Sequence, residues 1–294
     1  MYIEMKPPFK FHCFKCETSG ALNLNTMRDL GIFDSEFSTA VISANKTVKA
    51  DSAVRITHIR KEKIFNLDDS EISQRNVNYF NNRYKTNFTN EYISNKFKVI
   101  TNPPKWFKDN NVFVPYGQYD FNNAIGFLSA DNSHVVFRDT SGKQEKRYYN
   151  LNLEADNDIT TASKIYNIRS TLDIMQEKTT LVITEGIFDI IGVYSHFYKD
   201  TPAEENTIFA AACGKAYNAV INHFVQMGFI DLDVIIYSDG DVEDNFYRNL
   251  KKSSIYIERS PLTVYYNSLY NKDTGFGKDY GVPKEQIKLR KMII

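Results

Sequence analysis

Apolar and polar positions are patterned in two different ways along this chain, and the change falls near its middle. From Thr180 onward, unbroken apolar runs alternate with segments of helical spacing: "TLVITEG", "IFDIIGVYSHFYKD", "TIFAAACG", "KAYNAVINHFVQMGF", "LDVIIYSDGD" and "VEDNFYRNLKKS", with "SIYIERS" read as extended. Short apolar runs predict strands buried on both faces, and a 3.6-residue period predicts helices. Strands alternating with helices imply βαβ units, a parallel sheet and right-handed crossovers. The expected class is α/β. In open sheets of this kind functional groups gather outside the carboxyl ends of the strands. Glu185, Gly214, Asp239 and Asp241 fall there.

The front half is less regular, which makes the whole chain α+β. "DDSEISQRNVNYFNNRYKTNFTNEYISNKF" predicts two short helices, the first capped by Asp69 or Ser70 and the second by Thr89 or Asn90. The two prolines of "TNPPKWF" mark a boundary. From Asn111 to Ala155, apolar and polar residues alternate between turn signals, which predicts a small antiparallel sheet.

Composition narrows the function. With 294 residues, 42% of them hydrophobic, the chain can fill the core of one large domain or two modest ones. It has no apolar run of about 18 residues, and "MYIEMKPPFKF" lacks the basic-then-apolar plan of a signal peptide. No membrane role is expected, and the expected compartment is the cytoplasm. Three cysteines, two of them in "CFKC", are a poor disulfide framework and fit a reducing compartment or a metal site. The net charge is zero, but residues 1–150 carry 21 basic and 16 acidic side chains (net +5) and residues 151–294 carry 15 and 20 (net −5). That split fits a polyanion-binding surface beside a cation-binding one.

The cation-binding candidate is Glu185 after the first strand with Asp239 and Asp241 after the third, Glu243 and Asp244 following closely. Alternate residues of an extended segment point the same way, so Asp239 and Asp241 are expected to present two carboxylates to one point. Such a cluster is costly without a counter-ion, and hard oxygen ligands favour Mg²⁺ or Mn²⁺. Taken singly, Asp239 also fits a helix cap, "DGD" a turn and Glu185 an exposed strand end. Three carboxylates at the ends of two strands of one sheet favour the metal.

"VITEGIFD", "ACG" and "YSDGD" occur in this order, and together they resemble the signature of the TOPRIM domain of bacterial-type primases, topoisomerases, OLD-family nucleases and recombination mediators. The resemblance runs from about Ile165 to Leu289 and implies a Rossmann-like parallel sheet flanked by helices. It also implies that Glu185, Asp239 and Asp241 hold the metal, that Asp189 fixes local structure, and that Gly186 and Gly214 serve the turns. "DTGFGKDYGVP" resembles the Gly-Lys-Asp segment closing primase TOPRIM domains, with Lys278 on a phosphate and Asp279 as a further carboxylate; Gly281 or Val282 stands where another acid is often found. An ordinary glycine-rich surface turn is the alternative for that segment.

The front half resembles primases too. "FKFHCFKCETSGALNLNTMRDLGIFD" is similar to the second half of a primase zinc ribbon, but Cys13 and Cys16 are only two of the four ligands that structural zinc needs. His12 is poorly placed to replace the missing pair, so no zinc is expected in this chain. "VFVPYGQYDFNNAIGFLSADNSHVVFRDTSGKQEKRYYN" resembles the small basic sheet beside the primase TOPRIM domain. There Arg138, Arg147 and Lys146, with Tyr148 and Tyr149, combine cations for phosphates with aromatic faces for bases. For Lys143 and Lys146 taken singly, a charged hairpin tip is the simpler account.

Four segments result: a partial zinc-ribbon-like segment over 1–35, a helical linker over 36–105, a basic antiparallel sheet over 106–160 and the TOPRIM domain over 161–294. The implied activity is that of a phage-encoded DNA primase making short RNA primers on single-stranded DNA from ribonucleoside triphosphates, with a replicative helicase as a further partner. Its place would be the bacterial host's cytoplasm. A noncatalytic primase-derived nucleic-acid-binding protein and a TOPRIM metal-dependent nuclease are the alternatives.

Overall fold

The computed structural model describes residues 2–3, 10–12, 19–22, 27, 37, 40–41, 73–114, 119–130, 132–153, 165–169, 178–227, 229, 231–253 and 262–294. Cys13 and Cys16, the helix caps expected at Asp69 or Ser70, and the extended segment 254–260 lie outside the described residues. The chain divides into two compact units, residues 1–62 with 223–229 and residues 63–222 with 230–294. In the first, β1 (Tyr2–Ile3), β2 (Lys10–His12) and β3 (Ser19–Ala21) pair antiparallel in that order. Phe11, Leu22, Met27 and Val41 bury a small apolar cluster in this unit.

The second unit is a mixed α/β structure containing two sheets. Helix α1 (Gln74–Tyr84) buries Asn76, Val77, Phe80 and Tyr84 along one face, the spacing expected of an amphipathic helix. It ends at Lys85 in the left-handed region (φ 56°), where the backbone N–H closes onto the Asn81 carbonyl. In α2 (Asn90–Phe97) the Thr89 hydroxyl accepts the Tyr92 N–H at 3.1 Å, the expected cap. The prolines of "TNPPKWF" open a third helix, α3 (Pro103–Asp109), because proline's fixed φ and missing N–H suit the first helical turn. Its Trp106 and Phe107 are buried in the core of the small sheet.

That sheet is antiparallel throughout, in the order β4 (Val99–Ile100), β5 (Ala124–Leu128), β6 (His134–Asp139), β7 (Tyr148–Asn152). One face, with Ala124, Leu128, Val135 and Phe137, packs on α3. Ile125 and Phe127 face the other way, into the main core with Phe80, Phe97 and Phe188. Complete burial of each such side chain stabilises the fold by roughly 2–3 kcal/mol before conformational entropy is subtracted.

The larger sheet has six strands: β8 (Tyr166–Asn167), β9 (Thr179–Thr184), β10 (Thr207–Ala211), β11 (Leu232–Ser238), β12 (Thr263–Asn267) and β13 (Leu289–Ile293). Their spatial order is β13-β12-β11-β9-β10-β8. The four central strands are parallel, and β8 and β13 are antiparallel edges. Helices α4 (Ile187–Val193), α5 (Tyr217–Gln226) and α6 (Asp244–Ser253) follow β9, β10 and β11. All five residues of β10 are buried, as a strand covered on both faces requires. The fourth parallel strand is "TVYYN", which the sequence pattern did not single out.

The order β10-β9-β11-β12 places the second parallel strand on one side of the first and the third on the other. The chain therefore leaves β9 and β11 in opposite directions across the sheet, and between their carboxyl ends lies the topological switch point, the place at which α/β folds commonly bind ligands. Register makes the ends level: Thr184 pairs with Ala211 on one side and with Tyr237 on the other.

Candidate functional site

The expected acidic residues stand at this switch point. Glu185 follows β9 directly and is partly exposed, while Asp239 follows β11 and is only 8% exposed. The Glu185 carbonyl accepts the Gly214 N–H at 3.3 Å, which ties the turn after β10 to the same end of the sheet.

Gly186, between Glu185 and the first turn of α4, is there for space. A Cβ at that position would stand 2.3 Å from Asp189 Oδ2, so only glycine lets the Asp189 carboxylate fold back under the turn. Asp189 is 8% exposed, and its Oδ1 accepts the Tyr280 and Gly281 N–H groups at 2.9 and 2.8 Å. It fastens the loop carrying Lys278 and Asp279 to the helix after β9. Burial first, and then the nearby Asp279, push its pKa up; the two N–H donors and Arg83 oppose this.

Asp239 and Asp241 do not form the extended pair that alternation implied. The chain turns at Gly240, with the Val242 N–H on the Asp239 carbonyl at 3.2 Å, which leaves Asp239 buried and Asp241 exposed. Gly240 is required here as well, since a Cβ would meet the Tyr270 ring at 2.3 Å. Asp239 is directed inward, and its Oδ1 is a buried atom with no hydrogen-bond partner. Asp241 is exposed and forms an ion pair with Lys278, Nζ to Oδ2 at 2.7 Å. The Asp239 pKa is driven up by burial above all and then by Asp189, Glu185, Asp279 and Asp241. That of Asp241 is held down by the hydrogen bond from Lys278.

A buried carboxylate oxygen without a donor is costly unless something else satisfies it. The charges acting on it from Asp189, Glu185, Asp279 and Asp241 are all carboxylates, the ligand type that Mg²⁺ or Mn²⁺ takes. Among the described residues, no group of three His, Cys, Asp or Glu side chains is gathered tightly enough to hold a metal ion, and Asp241 is paired with Lys278. Below the acids Ser238 donates to the Asp239 carbonyl at 2.9 Å and accepts from the Tyr247 hydroxyl at 2.7 Å. Burial pushes the Tyr247 hydroxyl up to about 12, leaving it a neutral donor.

The cationic candidates are distributed differently from expectation. Arg138 was expected to be displayed for phosphates, yet it is 4% exposed. Its guanidinium lies over the Tyr148 ring (5.0 Å) and the Phe188 ring (4.8 Å) and donates to the Tyr79 hydroxyl at 3.3 Å and to the Tyr148 hydroxyl. It braces the small sheet against the helix after β9 because both rings offer a face to a cation that solvent does not reach. Lys146 and Arg147 are exposed on the β6–β7 hairpin, together with the Tyr148 ring.

Sequence reasoning missed Arg83. It sits in the last turn of α1 with its guanidinium 4.6 Å from the Phe188 ring centre, and its Nε is buried without a hydrogen-bond partner. Burial opposes its charge, but Tyr84, Tyr79, Asp279 and Asp189 outweigh that and raise its pKa. No motif marks it. The only sign in the sequence is a lone arginine within an apolar helix face, which an exposed helix end explains equally well.

No protein-family model matches the sequence, and no curated protein matches it. Among the described residues, no helix is long and apolar enough to cross a membrane.

Proposed function

We propose that this chain is a primase of the TOPRIM type, phage-encoded, that makes short RNA primers on single-stranded DNA by nucleotidyl transfer from ribonucleoside triphosphates. The observation that carries this reading is Asp239, 92% buried with one oxygen unsatisfied, at the switch point of a parallel sheet and beside Glu185. Glu185, Asp239 and Asp241 would hold Mg²⁺ or Mn²⁺, which when bound neutralises triphosphate charge and makes a 3′-hydroxyl easier to deprotonate. The chain's own groups do the positioning. Asp189 fixes the loop of Lys278 and Asp279, Arg138 and Arg83 hold Phe188 from the side of the small sheet and α1, and Lys146 and Arg147 offer charge to a template strand.

The test is incubation with labelled ribonucleotides, Mg²⁺ or Mn²⁺ and single-stranded DNA. Short RNA products that disappear in Asp239→Asn are expected. Their absence from the wild-type reaction overturns the reading, and template cleavage in their place assigns the centre to a nuclease. One observation favours a second reading, a noncatalytic primase-derived protein that binds nucleic acid: Asp241 is occupied by Lys278. Binding of single-stranded DNA without synthesis in that experiment would select it.

A further inference from the structure

Lys278 is placed with more care than a surface lysine needs. Its carbonyl accepts the N–H of Gly240, the residue between Asp239 and Asp241, at 2.9 Å, and its own N–H donates to Gly275 at 3.3 Å. On either side the loop is pinned. Asn271 Oδ1 accepts the N–H groups of Asp273 and Thr274 at 2.9 and 3.1 Å, and the Asn271 N–H meets the Phe276 carbonyl at 2.9 Å. Two and three residues past Lys278, the Tyr280 and Gly281 N–H groups are on Asp189. The Lys278 backbone is thus fixed to both acidic turns, while the tip of its side chain remains in solvent. The Lys278 and Asp241 side chains are 46% and 40% exposed.

A fixed backbone with a charged, solvent-exposed tip is the geometry of an exchangeable counter-ion. An ammonium group and a divalent cation compete for the same carboxylate, and an exposed ion pair is weak enough to be exchanged. A phosphate arriving at the carboxyl ends of the strands gives the displaced ammonium a new partner. We propose that Lys278 is a tethered counter-ion that holds Asp241 until a divalent cation and a phosphorylated ligand arrive together, so that each favours the binding of the other. Reciprocity is then obligatory, because a ligand that takes up Lys278 frees Asp241 for the cation by the same free energy. The inference rests on the metal-binding reading of Glu185, Asp239 and Asp241.

The experiment is a Mn²⁺ titration followed by electron paramagnetic resonance, with the full chain as wild type, Lys278→Met, Lys278→Arg and Asp239→Asn, each with and without inorganic phosphate. Lys278→Met is expected to bind Mn²⁺ alone roughly two- to fivefold more tightly than wild type, the range that loss of an exposed ion pair allows. Phosphate should tighten Mn²⁺ binding by wild type and Lys278→Arg and leave Lys278→Met unchanged. Equal or weaker Mn²⁺ binding by Lys278→Met, or equal tightening of all three by phosphate, overturns the proposal. Asp239→Asn separates the two levels: if it abolishes Mn²⁺ binding while Lys278→Met behaves as wild type, only the role of Lys278 falls. If wild type binds no Mn²⁺, the metal reading falls, and the counter-ion falls with it.

Discussion

Asp139 and Asp239 each stand at the end of a central strand, and they are 5% and 8% exposed, yet their surroundings are opposite. At the end of β6, Asp139 accepts the Ser141 N–H and hydroxyl at 2.9 and 2.6 Å and the Gln144 N–H and side-chain amide at 3.3 and 3.2 Å. Burial alone would raise its pKa, but these donors outweigh burial and bring it down to about 2. At the end of β11, Asp239 has an oxygen with no donor and four carboxylates for neighbours, and its pKa rises. One carboxylate closes a hairpin. The other keeps a buried oxygen that no donor reaches, so its charge is opposed where that of Asp139 is satisfied.

The largest effect expected from this contrast belongs to Asp239→Asn. It should lower metal-dependent synthesis by about a hundredfold or more, the scale set by several kcal/mol of lost charge stabilisation. The metal-free variant should nevertheless be more stable than wild type at pH 7. The sign follows from linkage: an acid whose pKa is raised by folding binds more protons in the folded state, so its contribution to stability falls as pH climbs above the unfolded value of about 3.9. Thermal melts in chelator should therefore show a gain for Asp239→Asn at pH 7 that shrinks toward pH 4. A variant that is active, or that is less stable at every pH, would place Asp239 with Asp139 as a structural acid.

Asp139→Asn should do the reverse. Its folded pKa lies below the unfolded value, so the carboxylate contributes full stability above about pH 4 and loses it as pH falls toward 2. The amide keeps one acceptor oxygen but loses the charge, and about 2–3 kcal/mol of stability should go at pH 7, a typical worth for hydrogen bonds to an ionised group. Mn²⁺ binding should be unchanged. Denaturant unfolding at pH 7 and pH 3 reads both parts of this, and equal stability of variant and wild type at pH 7 would remove Asp139 from the comparison.

How far these differences were legible in the sequence depends on how local their causes are. The strands β9, β10 and β11 could be read because each is mostly buried, β10 throughout, and written as an apolar run, and Glu185 and Asp239 could be read because they end two of those runs. Strand β12 was not found: "TVYYN" is half polar and short, and "SIYIERS" before it looked more strand-like. The need for glycine between Asp239 and Asp241 depends on Tyr270, whose ring occupies the space over Gly240. Burial of Arg138 depends on Phe188, fifty residues further along, and pairing of Asp241 depends on Lys278. Periodicity and end signals report on a residue and its near neighbours; none of them records which distant ring or cation will arrive.

The two arginines of the small sheet repeat the contrast at a lower energy. Arg138 is enclosed between two aromatic rings with two tyrosine hydroxyls as acceptors, so Arg138→Ala should destabilise the fold by about 2 kcal/mol through lost packing and cation–π attraction. Calorimetric or denaturant unfolding measures that loss, and a change below about 0.5 kcal/mol would make Arg138 a surface group after all.

Arg147 gives the smallest effect and the sharpest distinction. It is exposed on the β6–β7 hairpin, where its own carbonyl accepts the Asp139 N–H at 3.0 Å, so the backbone beneath it stays in place when the side chain is removed. Arg147→Ala should leave the unfolding curve unchanged. If the side chain meets a phosphate of single-stranded DNA, one condensed counterion fewer is released on binding. The slope of log affinity against log salt then becomes shallower by about 0.7, the single-strand value per phosphate contact. At moderate salt that is a few-fold loss of affinity, small enough to be missed in a single titration and clear in a series. Titrations of labelled single-stranded DNA at four or more salt concentrations decide it: parallel lines for wild type and Arg147→Ala would leave the hairpin as a charged turn and move the template elsewhere.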